Sequence, residues 1–186
     1  MLIAAGVFLT FRIPEMIEAN RQRNLLMETP QMRALQARIR QDINNRDVTV
    51  LSDADMNLFL EYSRLSIRRN SQIVGRVPVL VEYVLAAFAD NHLLFSTYDN
   101  HRFSYQGITS STFDVNYIHV GMAMAANYFD PCEAGWLTRD WNRGEAFIAE
   151  TLGNHAEARR QRLQIEAGMR FMRIGYNYWH DWHDSH

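Results

Sequence analysis

The stretch TFDVNYIHVGMAMAANYFD, residues 112–130, decides how this chain is read. Most of it is small, apolar or aromatic, and it reads as a helix with Asp114 near its start and Pro131 just past its end. Asn116 and His119 lie three residues apart and share one face, while Asp114 at the mouth is placed to cap backbone N–H groups. Polar side chains beside buried surface cost about 1 to 3 kcal/mol each unless they are hydrogen-bonded. Either a network or a substrate must therefore satisfy that pair. Gly121, Ala123, Ala125 and Ala126 would let another backbone come close.

Working outward, the chain shows repeated helix signals. Pro14 opens a helix to about Met27, and Thr29-Pro30 supplies an N-cap and first-turn proline for the next, where Met32, Leu35, Ile39 and Ile43 recur at helical spacing. Ser52 with Asp55 three residues on resembles a capping box, and Met56, Phe59, Leu60, Ser63 and Ile67 then form one face. Pro78 starts VLVEYVLAAFA, which is apolar all round and so reads as a buried central helix. Residues 96–112, rich in Ser, Thr, Asn and aromatics with Gly107 as a turn signal, read as a loop with room for short strands. Trp136 to Gly144 reads as a second loop, followed by a short helix around Glu145 to Leu152 that ends at Gly153. The last helix carries Ile165, Met169, Met172, Tyr176, Trp179 and His183 at alternating spacings of four and three. No repeat or linker divides the chain. The expected architecture is all-α: a single globular domain over residues 1–186, with a buried central helix and two irregular loops. Residues 1–50 form an N-terminal segment with two amphipathic helices, and 51–186 the core.

At 186 residues with 47% hydrophobic content the chain can bury one sizeable core. A net charge of -2 argues against a protein that lives on nucleic-acid phosphates. The single cysteine, Cys132, makes neither an internal disulfide nor a multi-cysteine zinc site. The apolar start MLIAAGVFLTF is too short to span a bilayer and lacks the basic opening of a signal peptide, so no transmembrane segment is expected. All 19 basic side chains are arginine, although average usage would give about ten lysines in a chain of this length. This composition suggests that lysine is avoided, as escape from lysine-directed modification in a foreign cell would require; the alternative is that arginine's planar fork suits the surface.

Several residues can carry chemistry. His119 is a candidate general acid or base, with Asn116 orienting it or binding a substrate oxygen. Asp99, His101 and Arg102 lie on a polar loop before the helix, where Asp99 or His101 could meet His119 as an acid and base pair, or simply hold a turn. Glu82 is the one charge between Val79 and Ala89, so burial would raise its pKa and make it a general acid unless an arginine pairs with it; Glu61, flanked by Leu58 and Leu65, is similar. Trp136, Trp141 and Tyr128 could stack on sugars. The terminal WHDWHDSH places His180 with His183 and Asp181 with Asp184 at i, i+3 spacing, but a chain terminus seldom holds metal ligands rigidly, and neither a metal nor a cofactor is expected. No Gly-rich phosphate loop, HExxH, GxSxG or CxxC pattern occurs.

The segments FLEYSRLSIRRNS, STYDNHRF, FDVNYIHVGMAMAA and IEAGMRFMRIGYNY, in this order from about Met56 to Tyr178, resemble the bacterial polymorphic toxin type 44 family, with the last two carrying most of the likeness. The resemblance implies a toxic effector domain that is secreted or delivered into a competing bacterium and neutralised in the producer by an immunity protein. The expected activity is hydrolysis of a polymer through Asp99, Asp114, Asn116 and His119, with Glu82 or Glu61 as a buried acid. Peptidoglycan is the first candidate substrate, because the chain is mildly acidic and a carboxyl could protonate a glycosidic oxygen. RNA is the second, with His119 and Arg102 acting on a phosphodiester. A non-catalytic helical binding or immunity-like module is the alternative from another class.

Overall fold

The computed structural model describes residues 14, 17–70, 101–126 and 128–185. The expected central helix from Pro78, with Glu82, and the residue Asp99 lie outside the described residues, as do the side chains of Asn116 and Trp141.

Helix α1 covers residues 17–28 and leads into α2, Pro30–Asn45. The Thr29 hydroxyl accepts the Met32 N–H at 3.2 Å, Pro30 fills the first turn, and Met32, Leu35 and Ile39 are buried, as the spacing predicts. Arg46 ends α2 in the left-handed region. A short strand β1, Thr49–Leu51, precedes α3, Asp53–Asn70. The segment between α2 and α3 therefore contains three sheet residues that the sequence did not announce. After them the capping box forms: the Ser52 N–H and hydroxyl both donate to Asp55 Oδ2, at 2.8 and 2.7 Å.

The region read as a loop holds a hairpin, β2 Arg102–Tyr105 and β3 Ile108–Ser111. Gln106 and Gly107 connect the strands with φ of 48° and 79°, the double left-handed geometry of a two-residue hairpin turn. The strands order β1-β2-β3, with β1 parallel and β3 antiparallel to β2. Thr49, Phe103 and Ser110 are in register on one face; Val50, Ser104 and Thr109 are in register on the other.

Helix α4, Thr112–Ala126, follows directly from β3. It is the buried helix of the described core: Val115, Tyr117, Ile118, Val120, Met122, Met124 and Ala125 are all within it. Helix α5, Pro131–Thr151, corrects one expectation. Pro131 lies past the end of α4, as expected, and also starts α5, because Asp130 caps the new helix, accepting from the N–H groups of Cys132 and Glu133, while Glu133 reaches back to the Asp130 N–H. Trp136 to Gly144 is therefore helical and not a loop. Helix α6, His155–Ser185, packs along α4 and α5.

Where α4 crosses α6, Gly121 faces the backbone of Met172 and Tyr176, and Gly175 faces the backbone of Ile118; a methyl group at either glycine would overlap a carbonyl of the other helix. The two main chains thus touch through a pair of glycines. The close approach expected of Gly121 is present, and Gly175 supplies its counterpart. The described residues are predominantly helical with one small sheet, and buried side chains from α2 through α6 form a continuous core.

Candidate functional site

The start of β1, the start of β2 and the end of β3 lie at the same end of the sheet, since β1 runs with β2 and β3 against it. Two sets of polar groups lie in that region, Asp42–Thr49–His101 and Ser111–Asp114. The Thr49 hydroxyl lies 2.7 Å from Asp42 Oδ2, and His101 Nε2 lies 2.7 Å from the same hydroxyl. An ionised carboxylate only accepts, so Thr49 donates to Asp42 and its oxygen accepts from His101 Nε2–H. That fixes the neutral tautomer of His101 with Nδ1 as the basic nitrogen. His101 is 8% exposed and packs edge-on against Phe103, with ring centroids 4.9 Å apart. Burial pushes the His101 pKa down, and the nearby Asp42 charge only partly opposes it, so the imidazole is neutral at pH 7. Across the hairpin, Ser111 ends β3, and its N–H and hydroxyl donate to Asp114 Oδ2 at 2.9 and 2.8 Å. Asp114 is 1% exposed and does the capping work expected of it.

The remaining sequence candidates are dispersed. Arg102 is exposed, and strand alternation sends it to the face opposite His101, so these chain neighbours do not act on one side of the sheet. His119 is half-buried further along α4. Trp136 is exposed on the outer side of α5, a helix that packs mainly on α6, and so stands apart from the His101 chain.

Glu61 belongs to a second cluster. Arg64 holds its carboxylate with two nitrogens, one at 2.8 Å, and the Tyr178 hydroxyl donates to it at 3.1 Å. The Arg64 guanidinium also lies 4.6 Å from the centre of the Trp182 ring. Burial and the Glu61 charge push the Tyr178 phenol up to about 12. Glu61 is therefore the carboxylate of an ion pair, on the wall of a groove of about 380 Å³ shared with Glu18, Gln22 and Arg64. Among the described residues no three metal-binding side chains gather, and no helix is long and apolar enough to cross a membrane.

Sequence reasoning missed Asp42 and Thr49. Neither stands in a motif, and they meet His101 only because β1 pairs with a strand some fifty residues away. Comparison with protein-family models, curated proteins and solved structures finds no match.

Proposed function

We propose that this chain is a hydrolytic effector domain in which His101 acts as the general base. The observation that carries the reading is the Asp42–Thr49–His101 chain, which fixes the tautomer and orientation of a histidine that burial keeps neutral. Asp114, by contrast, supports α4 as a cap. The effector setting rests on the resemblance of the toxin-like segments and on the absence of lysine.

Histidine acid–base chemistry suits a phosphodiester, and RNA is the substrate class we put first. The described carboxylates that sequence reasoning offered as acids, Asp114 and Glu61, are engaged in a cap and an ion pair. Peptidoglycan is the second reading, favoured by the net charge of -2. Total RNA and purified sacculi, incubated separately with the protein, distinguish the two: sacculi cleaved while RNA stays whole would reverse the order.

His101→Gln should lower kcat by roughly 10²- to 10⁴-fold, the usual contribution of a positioned acid–base group. Thr49→Val should cause a smaller loss and a shifted pH profile. Because the His101 pKa is lowered, activity should rise with pH on an acid limb below about 6.5 and level off above it. Activity that falls only in proportion to folded protein, in both variants, would mark His101 as a structural histidine.

A further inference from the structure

The outward face of α5 has no counterpart elsewhere in the described structure. Eight large apolar side chains are exposed among the described residues, and Trp136, Phe147, Ile148 and Leu152 all lie on or just past this helix. Trp136 and Phe147 are eleven residues apart, about three turns, so they fall within roughly 20° of one line along the helix. Between them stand Asp140 and Arg143 on the same face, 3.8 Å from each other.

Gly144 adds a second, independent observation. It sits inside a 21-residue helix, where glycine weakens helical structure relative to alanine, and a Cβ there would meet nothing within 4 Å. Gly121 and Gly175 are explained by a backbone in contact with them. No such neighbour within the described chain explains Gly144.

We propose that this face of α5 is a homodimer interface, in which α5 packs antiparallel against α5 of a second copy around a two-fold axis. The spacing singles out a second copy as the occupant. Trp136 stands four residues before Asp140, and Phe147 four after Arg143. An antiparallel two-fold between residues 141 and 142 therefore sets Trp136 against the partner's Phe147 and Asp140 against the partner's Arg143. The two exposed aromatic groups of this face then meet each other, and the central charges meet their opposites. Gly144 lies beside this central pair and, by the same two-fold, opposite the partner's Arg139, for which its missing side chain leaves room. The inference is independent of the His101 chemistry.

Sedimentation velocity on the full chain tests it. The wild type should be dimeric, and Phe147→Glu should be monomeric with an unchanged helical circular-dichroism spectrum. Asp140→Arg and Arg143→Asp should each weaken association about tenfold, and the double exchange should restore it, because the pair is reciprocal. Gly144→Ala separates this role from a structural one: it should raise the melting temperature of the monomeric Phe147→Glu background while weakening the dimer of the otherwise wild-type chain. The proposal is overturned if the wild type stays monomeric up to roughly 100 µM, where an interface with a Kd of that order would already be well populated. It is equally overturned if Phe147→Glu leaves the dimer intact, or if the charge exchange fails to rescue it.

Discussion

Helices α3 and α4 begin in the same way and end in different surroundings. Each leaves a strand of the one sheet through a Ser-x-x-Asp sequence, and in each the serine N–H and hydroxyl donate to the aspartate three residues on. Because β1 and β3 run in opposite directions, the helices depart from opposite ends of the sheet. At the α3 junction Ser52 is exposed, and Arg38 adds a 2.6 Å bond to Asp55. At the α4 junction Ser111 and Asp114 are both buried. The motif decides where a helix starts. The residues after it decide how deep the helix lies, and therefore how much the cap is worth.

The largest difference between the two helices should appear at Gly121. Alanine there drives a methyl group into the Met172 carbonyl, which is backbone and cannot rotate away, so Gly121→Ala should cost about 3 kcal/mol or more. Asn57→Ala, at an exposed position of α3, should change stability by less than about 0.5 kcal/mol. Urea denaturation monitored by circular dichroism measures both. A Gly121→Ala protein as stable as wild type would show that α4 and α6 can separate slightly without loss, and the contrast between the helices would fail.

Next in size come the caps themselves. Asp114→Ala strips a buried N–H and a buried hydroxyl of their acceptor and should cost about 2 to 3 kcal/mol. Asp55→Ala should cost about 1 kcal/mol, because water can replace the carboxylate at exposed Ser52. Equal losses would mean that burial adds nothing to this cap.

These contrasts also separate what the sequence discloses from what it hides. Thr29-Pro30, the Ser52–Asp55 box and the spacing along residues 165–183 are local signals, and each gave its helix. Asp130-Pro131 with Glu133 was an equally local start signal; reading Pro131 only as the residue past α4, and Trp136 to Gly144 as a loop, concealed α5. Strand β1 could not be read this way, since three residues become a strand only through pairing with β2 across fifty intervening positions. The same pairing brings Asp42 and Thr49 to His101, so that site was illegible for the reason the strand was. His101 itself was visible as a polar residue next to an aromatic strand, but its partners were not.

The smallest effect concerns the outer bond of the α3 box, the ion pair of Arg38 with Asp55. Burial pushes the Asp55 pKa up, but the Ser52 hydroxyl and N–H and the Arg38 guanidinium together outweigh it, so the carboxyl is held below the usual range. A lowered folded pKa gives stability that is complete above the unfolded aspartate value of about 3.9 and is lost as pH falls through the folded value. Arg38 is 44% exposed, and its attraction is accordingly screened. Arg38→Ala should therefore cost only about 0.5 kcal/mol at pH 7. Its clearer signature is on the acid side: with Arg38 gone the folded pKa of Asp55 rises, and loss of stability on acidification sets in at higher pH than in wild type. Urea midpoints taken from pH 7 down to about 3 measure that displacement, which added salt should shrink. If the acid limbs of the two proteins coincide, Ser52 alone holds Asp55 ionised and the two boxes differ only in burial.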